Sequence, residues 1–304
     1  MNESTRYVAA AIVALGLGGS ACSTEDRDYS GGSGGSGGDG GSGGGSGGGS
    51  SNACATALAC DDFEAHTIKA DPTGPFSKAV TAGEVFIDDT RAFSGKHSVR
   101  LSTGATDGFK AALLNYNDPA KLPAPNNAVY GRMMFWLESA PASEINWNFI
   151  IGLGAVPDPV FGSYAAVYRY GGQYPVLEGS TFVGSQLMAN YGTPDSFNDP
   201  PVGPSTNCWN HSDKKVVPVA KWTCAEFHFD GANNEMQFWL DGAEVPDLHV
   251  QKYGQGCASQ AADYPWIAPT FTDIFVGWES YVLDEPRTIW IDDLAIGTER
   301  LGCP

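Results

Sequence analysis

The sequence predicts one all-β domain over residues 54–304, an antiparallel sandwich of two sheets with jelly-roll architecture. Eleven short runs either alternate apolar and polar residues or are rich in β-branched and aromatic residues, as β-strands are. Dipeptides typical of turns separate several of these runs, and no long segment carries an apolar stripe of helical period. Eleven strands over roughly 250 residues without an internal repeat fit a two-sheet sandwich.

The predicted strands run along most of this domain. They are Ala59–Glu64, Val85–Asp88, Ser98–Ser102, Lys110–Asn115, Val129–Leu137, Asn148–Gly152, Ala165–Tyr170, Ala225–Asp230, Met236–Leu240, Asp273–Glu279 and Thr288–Ile296. Asp230-Gly231 lies between two of them and predicts a hairpin over Phe229–Met236. Residues Tyr174–Val219 have few strand signals and many Pro and Gly, so we expect long loops over one face, where function often resides.

The first 22 residues predict an export signal. Arg6 precedes the apolar run Tyr7–Leu17, and small residues then lead to Cys22. This order is typical of a secretory signal peptide. A cysteine after Gly-Ser-Ala resembles the bacterial lipoprotein cleavage box, although Gly19 stands where such boxes usually have Leu. We therefore expect lipidation at Cys22, with ordinary cleavage near Ala21 as the alternative.

Residues 23–53 predict a flexible tether. The segment holds 14 of the 39 glycines between Ser30 and Ser51. Such a composition has few side chains to bury and high backbone entropy, and about 31 residues give a root-mean-square reach of roughly 30 Å. The protein is thus expected to be exported and held by lipid at the cell envelope or outer surface, or otherwise secreted.

The charge balance restricts the partners. Lys and Arg total 17 against 35 Asp and Glu, for a formal net charge of -18. This argues against binding of nucleic acid, which requires a basic patch. No apolar run of about 18 or more residues is present, so contact with a membrane is expected only through the lipid anchor. We expect a monomer.

Cysteine usage supports export. If Cys22 carries lipid, six cysteines remain, and an even number in an exported domain predicts three disulfides. The sequence favours Cys208 with Cys224, which flank one loop, and Cys303 with either Cys54 or Cys60; Cys257 completes the set. A zinc site is disfavoured, since neither the cysteines nor the five histidines show ligand spacing.

Three local patterns occur in one order along the domain. The first is Asp61-Asp62-Phe63-Glu64 followed by Ala92–Leu101, the second is Lys221–Phe227 leading to Gln237–Gly242, and the third is Thr288–Gly297. Together they resemble the concanavalin A-like jelly-roll superfamily, and most closely the fungal cellulose-induced secreted proteins and the polysaccharide-lyase-like domains near them. That resemblance implies the jelly-roll fold and a polysaccharide partner. The resemblance does not decide the activity of this protein, because the superfamily includes lectins, lyases and hydrolases.

The resemblance also implies a structural Ca²⁺ between the first and last strands. Glu64 and Asp292 or Asp293 would supply carboxylates, and the carbonyls of Ser94 and His97 would add neutral ligands. Ca²⁺ accepts six to eight oxygens in irregular geometry, which suits this set. Adjacent strand residues point to opposite faces, so the sequence does not choose between the two aspartates.

Strand alternation gives candidate residues for sugar binding. If the polar faces of several strands coincide, they form one shelf with aromatic rings to stack on sugars and polar groups to bond hydroxyls or a carboxylate. The shelf would hold Arg132, Trp136, Asn148, either Tyr168 or Arg169, His228, Gln237 and Trp239. Core packing is the alternative role for each of these residues.

The leading expectation is a carbohydrate-binding surface lipoprotein. The alternatives are a polysaccharide lyase or glycoside hydrolase on the same fold, and a surface adhesion domain that binds protein. A lyase needs a group that neutralises a uronate carboxylate, a base and an acid. Candidates are Arg132, Asn148, Tyr168, His228 and Gln237. A retaining glycosidase needs two nearby carboxylates, and Glu226 has no obvious partner, so a lyase is the favoured enzyme.

Overall fold

Two antiparallel sheets form the domain. A computed structural model describes residues 54–194, 197, 204–258 and 265–304. The first sheet contains β1 (Ala59–Asp61), β3 (Gly83–Asp88), β4 (Ser98–Thr103), β6 (Ala128–Leu137), β11 (Thr223–Asp230), β12 (Glu235–Leu240), β13 (Ala243–Glu244), β14 (Val250–Gln251) and β17 (Arg287–Gly297). The second contains β2 (Ser77–Thr81), β5 (Lys110–Tyr116), β7 (Trp147–Val156), β8 (Tyr164–Glu178), β9 (Thr181–Gly192), β10 (Cys208–Val216), β15 (Gly256–Cys257) and β16 (Thr270–Ser280). The prediction of an all-β sandwich is confirmed.

The strand order brings distant parts of the chain together. The first sheet runs β13-β12-β11-β6-β17-β4-β3, with β1 beside β17 and β14 beside β12. The second runs β15-β10-β9-β8-β7-β16-β5-β2. The predicted hairpin is present as β11 and β12, where Asp230 pairs with Glu235. Two short 3-10 turns, Pro125–Asn127 and Pro246–Leu248, lie between strands.

Aromatic residues fill the space between the sheets. Phe149 of β7 contacts Phe135 of β6 and Phe238 of β12, with ring centroids 5.6 and 6.0 Å apart. Burying each such side chain contributes about 1.5–3 kcal/mol. This inter-sheet cluster also includes Tyr168 and Tyr170 of β8. Core membership therefore identifies which residues of each strand point inward, and the residues between them lie on the outer face of their sheet.

Register shifts occur in several strand pairs, and two of them, in β7 and β17, change the alternation beside candidate site residues. Phe149 and Ile150 both belong to the core, and the register of β7 against β8 shifts between Asn148 and Ile150. In β17 the register shifts after Asp292, and Asp293 has a positive φ of 46°. A bulge places two residues opposite one and reverses the inward and outward positions beyond it.

The expectation of long loops over Tyr174–Val219 is wrong. The end of β8, all of β9 and all of β10 lie in this range, and β8 and β9 pair along most of their length. Gly184 has no room for a side chain because a Cβ there would lie 2.7 Å from Cβ of Val216. Glycine at this position therefore permits a close approach of the neighbouring strand. In the sequence alone, the same glycine indicates a loop.

Three disulfides are present, as the cysteine count predicts, but the favoured pairings are wrong. Cys54 pairs with Cys60, Cys208 with Cys257, and Cys224 with Cys303. Cys208 and Cys257 are directly opposed residues of β10 and β15, so the sheet register selects this pair. Disulfides of this number indicate an extracellular protein.

The predicted signal peptide with Cys22 and the tether 23–53 lie outside the described residues. Among the residues that the structure describes, no helix has the length and apolar character needed to cross a membrane.

Candidate functional site

The predicted sugar-binding shelf divides between opposite faces of the sandwich. Five of its residues lie on the outer face of the first sheet, two on the outer face of the second, and Tyr168 lies in the core. The first group is Arg132, Trp136, His228, Gln237 and Trp239, and the second is Asn148 and Arg169. The condition that the strand faces coincide is therefore not met, because alternation reports the side of a strand and not the sheet to which it belongs.

The C-terminal segment covers part of the first group. Arg300 donates to both carboxylate oxygens of Glu226 at 2.8 and 3.2 Å, and its guanidinium lies 4.4 Å from the ring centroid of Trp239. Arg132 is fully buried and donates to the carbonyl of Gly302 at 3.3 Å. These contacts give Arg132, Glu226 and Trp239 structural partners.

Two further candidates have structural surroundings. The Tyr168 hydroxyl donates to the carbonyl of Trp266, and burial raises the pKa of this tyrosine well above its ordinary value. His228 stacks on Tyr130 at 3.9 Å, and its Nδ1 lies 3.2 Å from Oε1 of Gln237. Burial lowers the pKa of His228, opposed by its hydrogen bond to Gln237. The core encloses Tyr168, so its hydroxyl does not face either outer surface of the sandwich.

A buried polar cluster occupies the outer face of the second sheet. It consists of Asn148, Arg169, Asn190, Glu279 and Tyr281, and is called the polar cluster below. Trp147 and Phe149 flank Asn148 and point into the core, as Tyr168 and Tyr170 do around Arg169. The polar residues between them must therefore point away from it. Sheet register places Asn148 beside Glu279 and Arg169 beside Asn190.

Glu279 is the centre of the polar cluster. Its Oε1 accepts from the Tyr281 hydroxyl at 2.5 Å and from Nδ2 of Asn148 at 2.9 Å. Nε of Arg169 lies 3.3 Å from the same oxygen, but it is not aligned as a hydrogen-bond donor, so this contact is an ion pair without a hydrogen bond. Nη1 of Arg169 donates to Oδ1 of Asn190 at 3.3 Å. Burial raises the pKa of Tyr281 well above its ordinary value, so it stays a neutral donor.

The polar cluster is not fully satisfied by protein. Oδ1 of Asn148 has no hydrogen-bond partner among the described residues. Apolar side chains adjoin the cluster and form a separate small hydrophobic group, with Ile151 and Phe275 among its members. A buried amide oxygen without a partner is costly, so this face is chemically suited to a polar ligand or ordered water.

Half-exposed rings border the same face. His211 and Trp209 lie on β10, where Trp209 pairs with Asn190, and the rings of His211 and Tyr174 lie 5.0 Å apart. Nε2 of His211 lies 3.2 Å from Oε1 of Gln173. Burial lowers the pKa of His211, opposed by a hydrogen bond to Gln255, and the lowered pKa favours the neutral imidazole.

The five residues predicted for calcium meet at one loop. Oε1 of Glu64 accepts from the main-chain N–H groups of Lys96 and His97 at 2.7 and 2.6 Å. Ser94 is tied to the last strand twice, because its N–H donates to Oδ2 of Asp292 and its hydroxyl to Oδ1 of Asp293. The bulge in β17 thus engages both aspartates. Burial raises the pKa of Asp292 to about 7, and the charge of Asp293 adds to the shift.

The loop has the type of ligand atom that calcium needs, but too few carboxylates to hold the ion by themselves. All the candidate atoms are oxygens, as Ca²⁺ requires. Among the described residues, however, no group of three or more His, Cys, Asp or Glu side chains is placed to hold a metal. A cation here would therefore need main-chain carbonyls as well as carboxylates.

Several residues of the second-sheet face are not among the candidates predicted from the sequence. Glu279 ended a predicted strand without being assigned to either face, and Tyr281 lay just beyond it. Asn190, Trp209 and His211 lay in the segment expected to be loops. Treating β9 and β10 as strands would have placed these three residues on one face by the same alternation.

Comparisons agree with the fold. Residues 62–299 match a family model described as Polysacc_lyase-like, Cip1-like, core domain. The structure of the cellulose-induced protein Cip1 is similar at 23% sequence identity and a TM-score of 0.53, covering 81% of this chain and 100% of that one. An endo-β-1,4-glucuronan lyase from the fungus Trichoderma reesei matches at 14% identity and a TM-score of 0.48, over 80% and 96%. No curated protein sequence matches. The chain therefore belongs to the Cip1-like polysaccharide lyase-like family, and its jelly roll is carbohydrate-related.

Proposed function

We propose that this protein binds a polysaccharide across the outer face of the second sheet, over the polar cluster. The observation that carries the proposal is a set of buried polar groups on a sheet face directed away from the core. Oδ1 of Asn148 lacks a partner there, within the part of the chain described. Sugar hydroxyls both donate and accept, so they can complete such a set.

The surroundings of the cluster suit a sugar chain. Trp209 and Tyr174 are partly exposed and can stack on the apolar faces of sugar rings. Arg169 can donate to a hydroxyl or a carboxylate through its remaining N–H groups. Membership of a polysaccharide lyase-like family supports the same class of ligand.

Affinity electrophoresis of the full chain in gels containing neutral polysaccharides tests this proposal. We expect one polymer to retard the protein. The double variant R169M/E279M removes both charges together and should weaken that retardation at least tenfold. The control R300M/E226M removes an ion pair from the opposite face and should bind as the unmodified chain does. Equal retardation of both variants would refute this location.

A second candidate function is polysaccharide lyase activity at the same face. Arg169 and Asn148 could neutralise a uronate carboxylate, and neutral His211 could accept a proton. Register puts His211 opposite Met188, which is opposite Gly171, so His211 is two strands from β8, about 10 Å away. His211 and Arg169 therefore lie on the same sheet face, two strands apart.

Lyase activity has a direct assay. Incubation with uronate polymers should produce the ultraviolet absorbance of unsaturated uronate ends. H211A should abolish this increase, whereas H228A, on the first sheet, should leave at least half of the rate. Unchanged absorbance with every uronate polymer would eliminate the lyase and leave the binding proposal standing.

We also propose a structural Ca²⁺ at the loop that carries Ser94 and His97. Support comes from the buried Asp292 and Asp293 carboxylates, which adjoin each other, and from the absence of any described Lys or Arg side chain bonded to Asp292. A chelator should lower the melting temperature of the full chain, and the decrease should be smaller in E64Q. An unchanged melting temperature would refute the site.

We also propose that the protein is anchored to a membrane by lipid at Cys22. Lipid at Cys22 and the tether 23–53 would hold the domain away from the membrane surface, as the sequence predicts. Fractionation tests this, because C22S should move the protein from the membrane to the soluble extracytoplasmic fraction. Identical fractionation of the two proteins would contradict lipidation.

A further inference from the structure

A row of aromatic and arginine side chains crosses the outer face of the first sheet. Phe86 of β3 pairs with Arg100 of β4, Arg100 pairs with Trp290 of β17, and Trp290 pairs with Trp136 of β6. Trp222 continues the row immediately before β11. Adjacent strands are about 4.8 Å apart, so this aromatic–arginine row is about 19 Å long.

Cation–π contacts hold two arginines on the rings of the row: Arg100, and Arg91 from the loop between β3 and β4, which is counted with the row below. The Arg91 guanidinium lies 4.5 Å from the ring centroid of Trp136 and 4.9 Å from that of Trp290. Arg100 lies 5.4 Å from Phe86 and 5.8 Å from Trp290. Trp136 and Trp222 meet edge to face at 6.1 Å. The rings therefore fix where both guanidinium groups stand.

The side chains of Arg91 and Arg100 donate no hydrogen bond to another described residue. The four other described arginines donate to protein oxygens through their side chains, and three of them pair with a carboxylate; they are Arg132, Arg169, Arg287 and Arg300. Arg91 and Arg100 have rings as their side-chain contacts. The nearby carboxylate of Asp88 accepts from Nε1 of Trp290 and from the Thr90 hydroxyl, and not from a guanidinium.

The loop that carries Arg91 is anchored rather than free. Oδ2 of Asp292 accepts from the N–H groups of Phe93 and Ser94 at 2.8 and 3.1 Å. A surface depression of about 440 Å³ opens beside Arg91 and is also lined by Lys96, with one acidic residue, Asp89, at its wall. Two cationic side chains and one carboxylate therefore line the depression itself, although the whole chain is strongly acidic.

We propose that the aromatic–arginine row is a second glycan-binding surface, specific for an anionic sugar chain that bears carboxylate or sulfate groups. The guanidinium groups offer paired N–H donors to the anionic groups, and the exposed parts of Phe86 and Trp222 can contact the sugar rings. The row lies on the sheet opposite to the polar cluster. The inference is therefore independent of the function proposed for that cluster.

Affinity electrophoresis of the full chain distinguishes the two surfaces. The gels contain a polyuronate, a sulfated polysaccharide or a neutral glucan. R91Q/R100Q should reduce retardation by the anionic polymer at least tenfold and should leave any retardation by the neutral glucan unchanged. K121Q/K252Q removes two exposed positive charges elsewhere and serves as the matched control. R91K/R100K keeps the charges and should bind more tightly than R91Q/R100Q.

Retardation by the polyuronate or by the sulfated polymer identifies the anionic group that binds. Salt above the physiological range should weaken this retardation, because the contact is between charges. No retardation by either anionic polymer would overturn the proposal, as would equal binding of R91Q/R100Q and the unmodified chain. Loss of anionic binding in R169M/E279M would assign that ligand to the polar cluster instead.

Discussion

Removal of one charge from the polar cluster should destabilise the protein more than removal of both. Arg169 and Glu279 are each about 3% exposed, and Nε of Arg169 lies 3.3 Å from Oε1 of Glu279. E279M leaves a buried guanidinium without a counter-charge, which costs about 3–5 kcal/mol. R169M leaves the carboxylate with only its neutral donors Tyr281 and Asn148. The double variant R169M/E279M leaves neither charge and fills the space with side chains of similar size.

The expected shifts can be measured by thermal unfolding. For a domain of this size, 1 kcal/mol corresponds to about 2–4 °C, so E279M should lower the melting temperature by about 6–20 °C. R169M/E279M should recover much of that loss, giving a coupling energy of about 2 kcal/mol or more in the double-mutant cycle. Additivity of the two single variants within about 0.5 kcal/mol would refute a coupled buried pair.

An exposed ion pair provides the control for this cycle. Lys78 and Asp71 approach to 2.6 Å, a shorter distance than in the buried pair, but their side chains are 44% and 59% exposed. Solvent screening limits such pairs to about 0–1 kcal/mol, so K78M and D71N should be nearly additive. The comparison isolates burial as the source of the coupling. Thermal unfolding of R169M/E279M also shows whether that variant is folded when its glycan binding is measured.

Three other perturbations test the fold that holds these surfaces. C224S/C303S opens a covalent loop with a sequence separation of 79 and should cost about 4.5 kcal/mol, measured by urea unfolding; a cost below about 1 kcal/mol would contradict it. Burial lowers the folded-state pKa of His228, so stability should fall as pH drops below about 6.5, and H228N should lose less between about pH 7 and pH 5; equal losses would exclude His228 as the cause. F149A should cost about 3–5 kcal/mol because Phe149 contacts rings of both sheets, and a cost below 1.5 kcal/mol would place it outside the tight core.

The strands could be predicted because each one buries a face. A strand occurs at each of the eleven predicted positions, although β1 ends at Asp61 and not at Glu64. Apolar residues of these strands fill the inter-sheet core, as Val99 and Leu101 do in β4. Alternation also put Asn148 on an outer face, but it left Tyr168 and Arg169 as alternatives, of which the structure places Tyr168 in the core. The strands missed were those whose residues break the usual composition, such as β9, where Gly184 permits a close approach to Val216.

The site could be predicted only in part because alternation carries no information about topology. Arg132 and Arg169 both occupy polar positions in apolar strands, yet β6 and β8 belong to different sheets. The bulge at Phe149 and Ile150 reverses the alternation within β7 as well. Disulfide pairing depends on the same long-range register, since Cys208 meets Cys257 only once β15 has joined β10.

The acidic composition predicts less about ligands than the position of each arginine does. A net charge of -18 repels an anionic chain at long range, but at physiological salt this repulsion is screened beyond about 8 Å. Contacts with Arg91 and Arg100 act at hydrogen-bond distance, well within that screening length. Four described arginines use their side-chain donors within the protein, and these two do not. The charge that a bound chain meets on the first sheet is therefore set by two side chains held on tryptophan rings, and not by the average over the molecule.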